Sequence, residues 1–152
     1  FMPNNSLLRE EFVKFIVNAF GMEIADISTV ERKFDDVLED DWRCSYIYTA
    51  VKNGIINGMS DVSFGVGQSI TREDLAVITY RALKFAKEDL GIPDSNKELF
   101  ADDNDISDYA KEAVYVLKSK NIINGTGNGM FSPKATATRA EAAKIIYLLI
   151  SE

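Results

Sequence analysis

The sequence contains no histidine and a single cysteine, Cys44. Without these residues it cannot form the usual cysteine and histidine zinc site, nor a serine–histidine or cysteine–histidine nucleophile pair. Cys44 falls among apolar residues of a predicted helix, so a buried and unreactive thiol is the favoured interpretation. These absences leave few kinds of enzyme open, and we expect no cofactor, no metal site and no catalytic residues.

Long apolar runs and an excess of basic residues are also missing. No run approaches the roughly 18–20 residues that a membrane-spanning helix needs, so we expect no membrane partner. The net charge is −7, with 24 acidic and 17 basic residues, which argues against nucleic acid as a partner. An anionic ligand would have to be held by local groups, because the overall field repels it. No signal peptide is recognisable, which predicts either an intracellular protein or a mature fragment of a larger secreted one.

The sequence repeats itself at an interval of about 67 residues, which is typical of a repeat architecture. The stretches 54–58 and 121–125 both contain Ile-Ile-Asn-Gly, and the same shift aligns further pairs: Trp42 with Tyr109, Phe64 with Phe131, Thr71 with Thr138, and Arg72 with Arg139. A partial copy opens the chain, where Phe1-Met2-Pro3 matches 131–133. We therefore predict one domain, 1–152, with repeats at approximately 1–22 (partial), 34–88 and 100–152.

Each repeat has the pattern helix, loop, helix. Short helices are predicted at about 41–53 and 107–120, each ending at the glycine-containing stretch, and longer ones at 9–20, 72–86 and 139–150. Apolar residues at 3–4 spacing form one stripe on each long helix: Phe12, Phe15, Ala19; Leu75, Ile78, Ala82; and Ala142, Ile145, Leu149. The predicted fold class is all-α, a pseudo-threefold array of helix-loop-helix repeats around a central three-helix bundle. Grooves between the repeats are its natural concave surfaces.

The order of motifs resembles that of the S-layer homology family over nearly the whole chain. The order is Phe-x-Asp, a short helix that begins with an aromatic residue, Ile-Ile-Asn-Gly, Phe-x-Pro and then Thr-Arg-x-Glu. The resemblance implies a non-catalytic module at the bacterial cell surface that anchors a secreted protein to an anionic secondary cell-wall polysaccharide, in many members a pyruvylated one. The departures are Leu8 for threonine, Asp74 for glutamate and Val66 for proline, and the first copy lacks its front half.

The resemblance also implies that the arginines of the Thr-Arg-x-Glu motif are the main ligand contacts: Arg9, Arg72 and Arg139. A cation in the first turn opposes the helix dipole by about 0.3–1 kcal/mol, so its presence at all three starts suits a carboxylate or phosphate ligand. The alternative is that each arginine pairs with a neighbouring acid such as Glu10, Glu73 or Asp36. Because Arg72 and Arg139 follow a threonine, they are predicted to line better-formed grooves than Arg9, and their loss is expected to leave folding almost unchanged.

Weaker glycan-binding candidates lie elsewhere in the repeats. Trp42 and Tyr109 can stack on a sugar face, although aromatic residues that open an amphipathic helix are more often core. Asp61 and Asn128 lie in the glycine loop, where both types also favour turns. Gly58 and Gly125 are interpreted as allowing a positive φ or a close ligand approach.

The acidic run 102–108 resembles a calcium-binding loop, but it does not fit the EF-hand pattern, whether the loop is taken to begin at Asp102 or at Asp103. It lacks the glycine at the sixth position and the glutamate at the twelfth. Capping of the following helix is the favoured explanation of the run.

Three alternatives to a polysaccharide anchor remain open at this stage. They are a protein–protein assembly module of a surface layer, an anchor that binds peptidoglycan, and a glycosidase with paired carboxylates. Self-association through the incomplete first repeat is a further expectation, because the helix at 9–20 would expose an apolar side. The residues on that side are Phe12, Phe15, Ile16 and Phe20.

Overall fold

A computed structural model describes residues 2–31, 34–86, 90–91 and 98–151. It contains five α-helices in this part of the chain: α1 (Arg9–Ala19), α2 (Trp42–Lys52), α3 (Arg72–Phe85), α4 (Asp108–Ser119) and α5 (Arg139–Ile150). Single 3-10 turns lie at Ile27–Thr29 and Asp103–Asp105, and the only β-type pairings among the described residues are isolated bridges. The predicted all-α class is confirmed. Phe1 and the residues around the predicted repeat end at 88 lie outside the described ranges.

An acid at the third position of α1 and α5 binds the amide that precedes each helix. Thr138 and Glu141 form the expected capping box, with Glu141 N donating to the Thr138 hydroxyl (3.2 Å) and Thr138 N donating to the Glu141 carboxylate (2.8 Å). At α1 the side chain of Leu8 offers no oxygen, but Leu8 N still donates to Glu11 (3.0 Å). The acid alone therefore preserves half of the box where the threonine is missing.

The long helices pack with a one-repeat offset. The short helix α2 packs on α1, and α4 packs on α3, so these two long helices are each covered by the short helix of the repeat that follows. α1 also contacts α3 and α5. The predicted stripes form much of the core, with Phe12, Leu75, Ile78, Ala82, Ala142 and Ile145 buried and Phe15, Ala19 and Leu149 half-buried. The pseudo-threefold array of whole repeats and the repeat boundaries stay predictions.

The prediction that the helix at 9–20 is left uncovered is wrong. Phe12 and Ile16 are fully buried, because α2 lies over α1. The uncovered helix is α5, whose Tyr147 and Ile150 are 66% and 61% exposed. α1 and α3 are each covered by the short helix of the next repeat, and among the described residues no short helix packs on α5 in the same way. None of the described helices combines the length and apolarity needed to cross a membrane.

Replacement of Ile78 by alanine is expected to cost about 2–5 kcal/mol of unfolding free energy, because this side chain is 3% exposed in the packed stripe of α3. Urea denaturation measures the loss. Ile150→Ala, at a position 61% exposed on α5, is the matched control and should change stability by about 0.5 kcal/mol or less. Equal losses in the two variants would contradict the assigned stripe.

Candidate functional site

The residues just before the three long helices are hydrogen-bonded to one another in a closed ring. Leu7 N donates to Ala137 O (3.0 Å), Ala137 N to Ile70 O (2.9 Å), and Ile70 N to Leu7 O (2.9 Å). All three residues are fully buried. This ring holds the three helix starts together, so each first-turn side chain lies beside the next helix rather than in solvent.

Each first-turn arginine pairs with an acid at the start of another long helix. Arg9 Nη1 lies 2.5 Å from Asp74 Oδ2, and Arg139 Nη1 lies 2.8 Å from Glu11 Oε1. Arg72 Nη1 pairs in the same way with Glu141. The three pairs form a second cycle, from α1 to α3, from α3 to α5 and from α5 to α1. The expectation that the arginines pair with acids is therefore correct, but the partners are third-position acids rather than Glu10, Glu73 or Asp36.

Two grooves form where an arginine enters the loop of the following repeat. The first, the Arg9 groove, has a volume of about 370 Å³ and is lined by Arg9, Ile56, Asn57, Gly58, Met59, Asp74, Val77, Ile78, Arg81 and Tyr109. The second, the Arg72 groove, has a volume of about 180 Å³ and is lined by Arg72, Leu75, Ile122, Ile123, Asn124, Gly125, Phe131, Ala137, Glu141, Lys144 and Ile145.

The two arginines differ in how fully they are engaged. Arg72 Nε donates to Phe131 O (2.8 Å), Nη2 donates to Asn124 O (2.9 Å), and Nη1 pairs with Glu141, so all three nitrogens are occupied. Arg9 Nε donates to Phe64 O (3.2 Å) and Nη1 to Asp74, while Nη2 has no hydrogen bond among the described residues. Arg9 therefore keeps a donor for a ligand.

Arg139 lies in neither loop groove. It borders an apolar surface of α1 and α5 with Phe15, Ile146, Tyr147 and Ile150. The prediction that Arg139 lines a better-formed groove than Arg9 is thus wrong in geometry. The arginine of one repeat enters the loop of the next, and among the described residues no loop receives Arg139 in this way.

The aromatic residues that open the short helices are exposed, not core. Tyr109 is 59% exposed in the Arg9 groove, and its hydroxyl donates to Asp74 Oδ1 (2.8 Å) with Glu73 Oε1 nearby (3.3 Å). Shielding of the hydroxyl raises the pKa of Tyr109, and the Asp74 carboxylate raises it further, so the hydroxyl stays protonated at neutral pH. Trp42 is 50% exposed outside both grooves, with Lys14 Nζ lying 4.7 Å from its ring centroid.

Packing within the loops explains both candidate glycines. Gly58 has φ +83°, and a Cβ there would lie 2.5 Å from the Phe34 ring. Gly125 does not have a positive φ, but a Cβ would lie 2.5 Å from Met130 O. Each glycine lines a groove, yet neither needs a ligand to account for it. Asp61 and Asn128 are exposed and line neither groove.

The aspartate of each Phe-x-Asp motif fastens the loop that carries the groove. Asp36 accepts hydrogen bonds from Phe64 N (2.8 Å), Gly65 N (2.7 Å) and Val66 N (2.9 Å). Partial burial by itself would raise the pKa of Asp36, but the backbone donors outweigh it and lower the pKa below its ordinary value.

The same interaction accounts for the acidic run after Phe100. Asp102 accepts from Phe131 N (2.8 Å) and Ser132 N (2.7 Å), and Asp103 accepts from Lys111 Nζ (2.9 Å). The expectation that this run caps α4 is wrong, because the residue at the cap position is Ser107 and the two acids bind elsewhere. Among the described residues no group of acidic or cysteine side chains is arranged to hold a metal ion.

Sequence reasoning missed two cationic groove residues, Arg81 and Lys144. The repeat alignment places asparagine at 18 and leucine at 148 opposite Arg81, so no repeated motif marks it. Asn57 and Asn124, which also line the grooves, belong to the repeated Ile-Ile-Asn-Gly stretch and carried a signal that was attributed to helix termination.

Comparison with known proteins supports the resemblance. The model of the S-layer homology domain matches residues 33–76 and 99–143, more than half of the chain. The chain belongs to the S-layer homology family. The two matched segments cover both Phe-x-Asp motifs, both short helices and both loops, while Arg9 and Arg81 of the Arg9 groove lie outside them.

Relatives of this S-layer homology module include enzymes and cell-surface proteins. It is 37% identical over 99% of its length to an amylopullulanase of Thermoanaerobacterium thermosulfurigenes, but spans 8% of that protein. It is 26% identical over 96% of its length to a cellulosome-anchoring protein of Acetivibrio thermocellus, of which it spans 32%. A surface-layer 125 kDa protein of Lysinibacillus sphaericus is 46% identical over 55% of the chain, and the match spans 7% of that protein. These relatives confirm a module of the cell-surface anchoring type, and the enzyme match concerns only a small region.

Asp36→Asn is expected to lower stability at pH 7 by about 1–2 kcal/mol, because a neutral amide accepts the loop amides less well than a carboxylate. The lowered pKa means that the carboxylate stabilises the fold above the ordinary value of 3.8 and that this contribution is lost as the pH falls below it. The stability gap between parent and variant should therefore shrink below about pH 4. Urea melts at pH 7, 5 and 3 test this, and a pH-independent gap would contradict it.

Proposed function

We propose that this S-layer homology module is a non-catalytic anchor whose Arg9 groove binds an anionic secondary cell-wall polysaccharide. The observation that carries the proposal is the free Nη2 of Arg9 inside a groove that also contains an exposed aromatic ring and a second arginine, Arg81. A carboxylate, such as that of a pyruvylated sugar, fits these donors. The ring of Tyr109 offers an apolar face on which a sugar can lie.

The Arg72 groove is proposed as a weaker, secondary site. Its volume is half that of the Arg9 groove, its arginine has no free nitrogen, and no short-helix aromatic lines it. Arg72 already makes three hydrogen bonds and Arg9 makes two, so Arg72 has fewer N–H groups left for a ligand. A ligand role for Arg139, Asp61 and Asn128 stays a prediction without a groove to support it, and we propose none for Trp42, which lies outside both grooves.

The expectation that loss of a motif arginine leaves folding unchanged does not agree with the burial of these side chains. The Arg9 side chain is 7% exposed and ion-paired, so its removal leaves Asp74 without its partner. Arg9→Ala would weaken binding and folding together and would not distinguish them. Tyr109, at the rim of the same groove, is the better probe of ligand contact.

Tyr109→Ala is expected to weaken binding of purified secondary cell-wall polysaccharide roughly tenfold, equivalent to about 1.4 kcal/mol. Isothermal titration calorimetry gives the affinity, and a thermal melt confirms folding. Trp42→Ala removes an equally placed and comparably exposed aromatic residue outside the groove, and should bind like the parent. Equal loss in both variants would argue against the groove. Binding of peptidoglycan stripped of polysaccharide would favour the peptidoglycan alternative.

We also propose self-association, through the apolar surface of α5 rather than through α1. The residues that match Ala143 and Ile150 of α5 are Ala76 and Leu83 of α3, which α4 keeps 0% and 3% exposed. On α5, Tyr147 and Ile150 have no such cover. Each copy presents the same uncovered face, so a twofold pairing of α5 against α5 would bury both at once.

Tyr147→Glu is expected to shift the chain toward monomer, because a carboxylate would be buried at the centre of the pairing. Sedimentation equilibrium over a range of concentrations measures the dissociation constant, which should rise at least tenfold. Leu38→Glu, at a position 64% exposed away from α5, is the control and should associate like the parent. A parent chain that is monomeric throughout the range would overturn the proposal.

A further inference from the structure

Arg81 is the uncompensated positive charge of the Arg9 groove. It lies on α3, half-buried, and donates one long hydrogen bond from Nη1 to Ile55 O (3.4 Å). Among the described residues no carboxylate lies within ion-pair distance of it. Arg9, by contrast, is neutralised by Asp74 at 2.5 Å. An anion that enters the groove therefore meets one arginine that is ion-paired and one that has no ion pair among the described residues.

Asp74, the acid among the residues that line the groove, already has a partner for each of its oxygens. The Tyr109 hydroxyl donates to Asp74, and Asp74 Oδ2 is held by Arg9, so this acid has both oxygens engaged. A carboxylate between the two arginines would accept from Arg81 and from Nη2 of Arg9. The planar fork of a guanidinium suits such two-oxygen binding better than the point charge of a lysine.

Arg81 also distinguishes the Arg9 groove from the Arg72 groove. The matching residue in α5 is Leu148, and in α1 it is Asn18, so the charge is not a property of the repeat. The surplus cation of the Arg72 groove is Lys144, one turn nearer the helix start and exposed. The Arg72 groove therefore contains one guanidinium, which already makes three hydrogen bonds, and a lysine instead of a second arginine.

We propose that Arg81 binds the anionic group of the glycan and confines tight binding to the Arg9 groove, one ligand per chain. This inference rests on the proposed anchoring function and adds to it the residue that would bind the carboxylate, since Arg81 lines the same groove as Arg9. The neutral remainder of the sugar lies toward Tyr109.

Calorimetric titration of two probes into the whole chain tests the inference. The probes are a monosaccharide that carries a pyruvate ketal and the neutral methyl ester of the same sugar. The parent should bind the acid with one site per chain and the ester at least tenfold more weakly. Arg81→Gln should bind the acid at least tenfold more weakly than the parent, but should bind the ester almost as the parent does. Arg81→Lys should fall between, because it keeps the charge and loses the fork.

Two further variants keep the outcomes separate. Arg43→Gln changes a cation outside both grooves and is the control, which should bind the acid like the parent. Lys144→Gln changes the cation of the Arg72 groove and tests which groove holds the tight site, so it should weaken tight binding less than Arg81→Gln does. If the parent binds neither probe, the proposed anionic-glycan function fails with the inference. If the parent binds the acid and Arg81→Gln binds it equally well while remaining folded, or if Lys144→Gln is the weakened variant, the inference alone is overturned.

Discussion

The ion pairs and backbone hydrogen bonds at the three helix starts hold the described core together. An arginine in the first turn of a helix is unfavourable by itself, because the dipole there is positive. Each arginine is compensated by an acid in the first turn of another long helix, where negative charge is favourable: Asp74 for Arg9, Glu141 for Arg72 and Glu11 for Arg139. The pairs are partly buried, so loss of one partner is more costly than loss of an exposed pair. Because each arginine needs an acid from another long helix, the three pairs determine which helix starts lie next to each other.

The one-repeat offset between long and short helices explains why each groove is built from residues of more than one repeat. The Arg9 groove takes its arginine from the partial first copy, its loop from the second and its aromatic residue from the third. The Arg72 groove has an arginine and a loop but no short-helix aromatic, and Arg139 has no loop. Only the Arg9 groove therefore contains all three parts within the described residues. Among the described residues no short helix packs on the apolar face of α5 as α2 and α4 pack on α1 and α3.

Much of the fold could be predicted from the sequence, because its signals are local and repeated. Helix ends follow from capping and from the glycine stretches, and the stripe residues such as Ile78 follow from their spacing. The offset between repeats could not be predicted, since periodicity does not show which short helix covers which long helix. Without knowledge of the offset, Arg139 is predicted to line a better-formed groove than Arg9, and α1 rather than α5 is predicted to be uncovered. Arg81 carried no signal, because it does not repeat.

The departure from the family pattern at Asp74 is connected to the completeness of the Arg9 groove. Glu141 and Glu11 each give one carboxylate oxygen to an arginine and the other to the amide that precedes their own helix. The shorter Asp74 gives one oxygen to Arg9 and the other to the hydroxyl of Tyr109. Its second oxygen thus holds the groove aromatic in place instead of binding the amide of Thr71. The Thr71 hydroxyl accepts from Asp74 N (3.2 Å), as the Thr138 hydroxyl does from Glu141 N. With one methylene group fewer than glutamate, Asp74 therefore orders the binding surface instead of binding the amide that precedes its own helix. This difference occurs in the groove that is lined by a short-helix aromatic residue.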